Sequence, residues 1–314
     1  MALGSISQKM GNFDPAQDFA KSAYQFAKRG KDRAVLDETL LLRAALAFET
    51  QAFLESRHCL KKIMHSKIST DENKLKAKRM LGGLRKVQSA LNHVKCSTDN
   101  RKDMKNLESI ADEYCANDCF YSGMRYYKQV LELAEENGSP KPEMAAICVS
   151  LAQTSSDLKN FTDAIRYSRS ELVLRDDPEQ RCRTWLNIAD YSHRSNQNDA
   201  ATLSCYENAV KEAKKSGNQK LVIRCMRDQC EMFSAINEDR EKISNLQQEI
   251  RELESVVDRG TESEEEEDEG IDRSPTPMSE ELSSATDSEG ETSEEVGMYK
   301  ISQYDKLYES HREI

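Results

Sequence analysis

Three sets of thiol or imidazole side chains lie close enough along the chain to be tested first as metal ligands. They are Cys115 with Cys119, Cys225 with Cys230, and His58 beside Cys59. A structural zinc site needs four converging ligands, ordinarily from two linked pairs of recognised spacing. These pairs do not assemble into that pattern. They are expected to be small, buried core thiols. The chain carries nine cysteines, an odd number without the spacing of a disulfide framework, so reduced thiols are expected. Nucleophilic catalysis finds no better support. None of the five histidines (58, 65, 93, 193, 311) sits in a motif with a nucleophile or a paired carboxylate. A Gly-rich phosphate loop, a Gly-x-Ser-x-Gly elbow and a His-Glu-x-x-His helix are all missing from the sequence. No enzyme activity, cofactor, metal or small-molecule substrate is expected.

The remaining chemistry is electrostatic, and it is local. The net charge is −11 over 314 residues. Thr261–Met298 holds 15 acids and one base, a balance of −14, which leaves +3 for the other 276 residues. Within that body, Arg57–Lys105 carries 14 Lys and Arg against four acids. This +10 tract could grip phosphates or an acidic partner. It contains no Phe, Tyr or Trp, so the stacking platform of single-strand binders is lacking and direct nucleic-acid contact is disfavoured. A solvated helix face, or a surface for the chain's own acidic tail, is the plainer reading. In the tail, Glu262, Glu264, Glu265, Glu266, Glu267, Asp268 and Glu269 form a polyanion suited to a strongly basic protein. Ser274-Pro275 and Thr276-Pro277 suit proline-directed kinases; Ser284, Thr286, Ser288 and Thr292 each have an acid three residues on, as acidophilic kinases prefer. Each phosphate would add about −1.5 to −2 charges.

Composition identifies the elements that must carry these groups. Gly and Pro total only 18 of 314 residues, which predicts a largely helical chain. No apolar run approaches the ~20 residues of a membrane span; the longest charge-free stretch, Met144–Ser156, has 13. Met1–Phe13 shows no secretory signal.

Leu107, Ile110, Ala111 and Tyr114 fall on one helical face, followed by Phe120, Gly123, Tyr127 and Val130 on the next. The pattern returns as Leu151, Ala152, Phe161, Ala164 and Leu172, then as Trp185, Ile188, Ala189, Tyr206 and Ala209. A weaker unit has Ala44, Phe53, Leu60 and Ile63. Small residues are expected where paired helices cross closely and large ones in the groove between them. This grammar resembles the tetratricopeptide repeat. Leu3-Gly4, Gly11-Asn12-Phe13 and Ala16 match its register too, so the chain is expected to begin inside a repeat's first helix, as a truncated fragment would.

Breakers mark the expected boundaries. Asp14-Pro15 and Asp177-Pro178 read as helix starts; Gly30, Gly138 and Gly217 read as C-terminal caps. Asp71–Lys95 places Met80, Leu84, Val87, Leu91 and Val94 on one stripe, with a bend or break expected at Gly82-Gly83. Ile243, Leu246, Ile250, Leu253 and Val257 form either the array's last helix or a short coiled coil, the former favoured. The expected organisation is all-α, a tetratricopeptide-repeat (TPR) helical superhelix with a disordered acidic C-terminal tail. Its bounds are partial repeats over 1–65, a basic helical insert over 66–100, repeats ending in a long helix over 101–258, and the tail over 259–314.

The concave wall of such an array is expected to include Lys105, Glu108, Asp112, Gln153, Arg183, Asp190 and His193, a mixed-charge protein-binding groove. Arrays that clamp C-terminal Glu-Glu-x-Val-Asp peptides carry Lys and Asn on the first helix of the repeat. At those places this chain has Glu108 and Asp112, then Val149 and Gln153, so that clamp is not expected.

One stretch goes further than repeat grammar. Ala145–Ala152, Ser170–Arg175 and above all Thr184-Trp-Leu-Asn-Ile-Ala189 resemble the repeat region of the Tonsoku-like family. The order of parts does too: repeats, a weaker insert, more repeats, then an acidic stretch. The resemblance covers roughly Ala2–Glu269 and implies a nuclear scaffold in homologous-recombination repair of replication forks. Implied partners are histones H3–H4, histone chaperones, and repair and replication factors. The family's ankyrin and leucine-rich repeats are not in this sequence, so histone H4 reading and pairing through C-terminal repeats are not implied. Their lack makes the chain an expected fragment or splice form of a longer protein. The rival expectation is a generic cytoplasmic peptide-binding adaptor of the kinesin-light-chain or G-protein-regulator kind.

Overall fold

The computed structural model describes residues 4, 11–96, 99–195, 199–235 and 240–266. Among them are twelve α-helices and no strand. They are α1 (Phe13–Gly30), α2 (Arg33–Glu49), α3 (Phe53–Met64), α4 (Asp71–Cys96), α5 (Asn100–Cys115) and α6 (Phe120–Glu136). The others are α7 (Lys141–Asp157), α8 (Phe161–Leu174), α9 (Pro178–Arg194), α10 (Asp199–Ser216), α11 (Gln219–Ala235) and α12 (Arg240–Glu266). The fold is the all-α tetratricopeptide-repeat architecture expected from the sequence. Its tightest helix pairs are α5/α6, α7/α8 and α9/α10, the helical hairpins that the repeat grammar outlines. The chain divides into two compact units, the first reaching Asp176 and the second starting at Asp177. That division falls within the stretch read from the sequence as one run of repeats.

In the first unit the repeat positions do what their sizes dictate. Leu107, Ile110, Ala111 and Tyr114 of α5 are buried, as are Tyr127 and Val130 of α6. Gly123 sits where α5 and α6 cross: a Cβ there would stand 2.3 Å from Cys115 Sγ and 3.3 Å from the Ala111 carbonyl oxygen. Tyr114 stacks on Phe48 of α2 (4.5 Å between centroids) and on Tyr126 of α6 (5.6 Å). These rings each remove a large apolar area from water and add a geometric preference of about 0.5–1.5 kcal/mol per pair. Beside them Glu49, 5% exposed, accepts a hydrogen bond from the Ser122 amide at 3.0 Å, while the Ser122 hydroxyl donates to the Glu49 carbonyl at 3.2 Å.

α4 is one uninterrupted helix through Gly82 and Gly83. The reason for glycine is proximity: a Cβ on Gly83 would meet the Asn117 amide nitrogen at 2.6 Å and a Glu113 carboxylate oxygen at 3.0 Å. The second glycine lets α4 lie close against the α5–α6 turn, and the packing gained offsets the poor helix propensity.

The helix ends partly follow the expected breakers. Asp177 caps α9 by accepting from the Glu179 and Gln180 amides, with Pro178 in the first turn. Gly138 (φ +59°) and Gly217 (φ +73°) take the left-handed conformation that ends a helix. Gly30 does not: it is the last helical residue, and Lys31 takes the left-handed place at φ 56°. Asp14 likewise lies inside α1, which Asn12 precedes.

In the second unit, Cys182, Ala209, Ala213, Val222, Cys225 and Met226 form a core of small and sulfur-bearing side chains. Ile250 is buried against it, with Leu246 and Leu253 partly buried, and Ile243 packs beside Leu203, Met232 and Phe233. α12 is therefore the closing helix of this unit, the favoured of the two sequence readings. Arg227–Glu254 at 2.5 Å and Lys214–Glu249 at 2.7 Å pair across its edges. α12 runs on to Glu266, eight residues past the expected helix end at 258. Glutamate is a good helix former, and that stretch is rich in it.

Candidate protein-docking grooves

Sequence reading selects seven groove residues, and the structure places them on three helices. Lys105, Glu108 and Asp112 are on α5 and Gln153 on α7, in the first unit; Arg183, Asp190 and His193 are on α9, in the second. Several already have intramolecular partners. Asp112 is half-buried and accepts the Tyr127 hydroxyl at 2.7 Å; burial raises its carboxyl, against that hydrogen bond, with Glu113 adding to the rise. Gln153 reaches Asp157 at 3.4 Å, and Asp190 pairs with Arg194 at 3.1 Å. Lys105 is exposed and lines a cavity of about 500 Å³ with His93, Cys96, Lys102 and Asn106, at the junction of α4 and α5.

Arg183 lines the larger opening. Between α9 and α11 lies a groove of about 630 Å³ formed by Glu179, Arg183, Leu186, Asn187, Asn218, Lys220, Leu221 and Arg224. Its construction follows from the helix period. Arg183 and Asn187 are one turn apart on α9, as are Lys220 and Arg224 on α11, so their polar ends share one opening above Leu186 and Leu221. Glu179 pairs with Arg183 at 2.6 Å, and Asn218 caps α11 by accepting the Leu221 amide at 3.1 Å. With three cations against one carboxylate, the groove favours an anionic peptide carrying an apolar side chain. Sequence reading missed Lys220, Arg224, Asn187 and Asn218. The available signal was the i, i+4 spacing of Lys220 and Arg224, which gains meaning only once α9 lies alongside.

Also in the second unit, Glu212 of α10 is 8% exposed. Burial alone would raise its carboxyl, but the Lys215 hydrogen bond and the Arg181 charge hold it below the usual range. The buried carboxylate is thus satisfied from two sides.

The thiols behave as core residues. Cys59, Cys119, Cys148, Cys182, Cys205, Cys225 and Cys230 are buried, Cys115 is half-buried and Cys96 exposed. Burial pushes the Cys115 thiol up to about 12 and that of Cys119 well above its ordinary value, which opposes the thiolate form a metal needs. Among the described residues no three His, Cys, Asp or Glu gather as metal ligands, and no helix is long and apolar enough to cross a membrane.

Glu262, Glu264, Glu265 and Glu266 fall in the last turns of α12. Glu267, Asp268 and Glu269 lie outside the described residues, as do Ser274, Thr276, Ser284, Thr286, Ser288 and Thr292.

Fold and grooves together define the class: an array of tetratricopeptide-type helical hairpins with side-chain grooves of docking size and charge. The chain is similar to Tonsoku-like proteins, in line with the resemblance carried by Thr184–Ala189. It is 29% identical over 230 residues to the Tonsoku-like protein of Danio rerio, covering 72% of this chain. With that of Bos taurus it shares 26% over 222 residues, covering 70%. The chain spans only 16% of the length of either relative. No family model matches. Among solved structures, a signal-transduction ATPase with a tetratricopeptide repeat sensor from Pyrococcus horikoshii superposes with a TM-score of 0.44 at 15% identity. That match covers 84% of this chain and 42% of the other.

Proposed function

We propose that this chain is a non-catalytic docking scaffold that acts in the nucleus, in homologous-recombination repair at replication forks. The similarity to Tonsoku-like proteins over about 70% of the chain carries this reading. The acidic run Glu262–Glu269 supplies the contact for a basic partner, with histones H3–H4 or a histone chaperone the expected protein. A dense run of carboxylates attracts a basic protein mainly through long-range charge, so the contact should weaken as salt rises.

The test is retention of H3–H4 by the full chain, compared with a version in which Glu262 and Glu264–Glu269 are changed to their amides. Loss of retention in the amide version, and weakening of the parent above physiological salt, are the expected results. If the intact chain retains neither H3–H4 nor a histone chaperone from nuclear extract, the histone reading fails.

The groove between α9 and α11 favours a second reading. Its cationic lining suits an acidic peptide, and peptide binding in a groove is what a generic cytoplasmic adaptor of the kinesin-light-chain or G-protein-regulator kind would do. Localisation separates the two, because exclusion of the full chain from the nucleus would favour the adaptor.

A further inference from the structure

Among the described residues, an unexplained close approach of two reactive groups lies in the second unit. Cys182 on α9 and Cys225 on α11 are both 0% exposed, and their sulfurs stand 3.2 Å apart. The residues are 43 apart in sequence, so only the packing of α9 and α11 brings them together. Distance and ligand count together discriminate between uses of the pair. Two thiolates on tetrahedral zinc, each ~2.3 Å from the metal, would be roughly 3.8 Å apart. A disulfide needs ~2.05 Å between sulfurs. The observed spacing lies between the two, and among the described residues no third His, Cys, Asp or Glu gathers with the pair as a zinc site would need. The spacing lies a little over ~1 Å from a covalent bond, within reach of small side-chain rotations.

We infer that Cys182 and Cys225 are a redox-convertible pair, closing to a disulfide across α9 and α11 when a small hydroperoxide reaches them. In the first step the Cys182 thiolate attacks one oxygen of hydrogen peroxide. The O–O bond breaks, the leaving hydroxide takes up the proton lost by Cys182 and departs as water, and Cys182 becomes a sulfenic acid. In the second step the Cys225 sulfur displaces that hydroxyl. The S–S bond forms, the S–O bond breaks, and the hydroxyl leaves with the Cys225 proton as a second water. Two thiols are oxidised by two electrons, and one peroxide is reduced to two waters.

The surroundings supply what the first step needs. The hydrogen bond with Cys225 holds the Cys182 thiol below its ordinary range, against the effect of burial, and Arg183 adds to the lowering. Both sulfurs are fully buried, so peroxide, little larger than water, must enter as the packing opens locally; Arg183 and Arg224, the chain neighbours of the two cysteines, line the groove between α9 and α11. Cys225 itself is pushed well up, by its hydrogen bond with Cys182 and by burial, so Cys182 is the sulfur that attacks first; Cys115, Cys119 and Cys148 are likewise raised by burial. The link would join the two helices that wall the groove, so oxidation would set the groove's width. This inference is independent of which partner the groove or the acidic run binds.

The test treats the folded full chain with hydrogen peroxide, blocks remaining thiols with N-ethylmaleimide, and maps peptides without reduction. The expected result is a Cys182–Cys225 linked peptide, lighter by two hydrogens than its parts, that dithiothreitol separates. The oxidised chain should unfold several degrees higher, and reductant should return it to the starting midpoint. C182S and C225S should each abolish the link; because either could disturb folding, the mapping of the unmodified sequence decides. Recovery of Cys182 and Cys225 as free thiols, at peroxide levels that already oxidise the exposed Cys96, would overturn the inference. So would linkage of either residue chiefly to Cys205 or Cys230.

Discussion

The two units close their cores by different means. The first stacks Phe48, Tyr114 and Tyr126 in sequence across three helices and seats a buried carboxylate, Glu49, beside them. The second packs Cys182, Ala209, Ala213, Cys225 and Met226, small or sulfur-bearing, and fastens its edges with ion pairs at Arg181–Glu212 and Arg227–Glu254. Stacked rings specify one geometry, because a shifted ring loses both its area and its orientation. Thiols and thioethers adapt to irregular gaps and tolerate small displacements. The difference assigns rigid packing to the first unit, and to the second a core whose parts can move slightly against one another. That is where two sulfurs can approach bonding distance.

The comparison predicts unequal responses to truncation. Tyr114→Ala removes the centre of the ring stack and is expected to cost about 3–5 kcal/mol. Met226→Ala, equally buried, should fall near the low end of about 2–5 kcal/mol, because its neighbours can close on the gap. Urea unfolding followed by circular dichroism measures both; Trp185, the chain's single tryptophan, reports on the second unit by fluorescence. Equal costs would erase the distinction between the cores.

Overpacking should also register in the first unit. Gly123→Ala drives a methyl into Cys115 Sγ and is expected to cost about 1–3 kcal/mol. Adding Cys115→Ala should recover part of that loss, and a double-mutant cycle reads the coupling. If the two costs simply add, the close crossing of α5 and α6 is not the cause.

Glu49 gives the first unit a pH signature. Burial raises its carboxyl above the ordinary value of 4.5, opposed by hydrogen bonds from Ser122. The folded state therefore holds the proton more tightly than the unfolded chain does. Its contribution to stability is complete below the unfolded value and is lost as pH rises through the folded one. E49Q should remove that decline, so that melting temperatures of variant and parent diverge as pH rises above about 4.5. A constant offset across that range would mean that Glu49 does not titrate differently on folding.

The smallest effect is expected at the edge of the second unit. Arg227→Ala breaks the pair with Glu254, but Arg227 is largely exposed, so the cost should be about 0–1 kcal/mol and shrink with salt. A loss above 2 kcal/mol would show that α12 is held by charge more than by Ile250 and its neighbours.

Much of the fold was legible because a repeat writes the same physical demand several times. Ala111, Ala152 and Ala189 recur where paired helices approach, and each is at most 1% exposed. The Ile243–Leu253 stripe likewise announced a buried helix face. Punctuation was less legible. Gly30 and Lys31 are neighbours, and which one takes the left-handed turn depends on where the helix stops packing. The glycines of α4 looked like a break because propensity alone counts against them; the use of the second, Gly83, lies in a close approach to Asn117, 34 residues away.

The candidate sites divide in the same way. Arg183 could be placed on a groove wall by its position in a repeat. Lys220 and Arg224 are ordinary surface cations until α9 lies opposite them, and Cys182 and Cys225 are two scattered thiols until helix packing joins them. Sequence by itself determined the helical period, the repeat, and the split between a near-neutral body and a strongly acidic end, because periodicity and charge are local and countable. Tertiary structure alone decided which cations share a groove, which carboxylates pair across helices and which sulfurs meet. Each of those depends on two helices being brought side by side, a distance that no spacing along a single chain can specify.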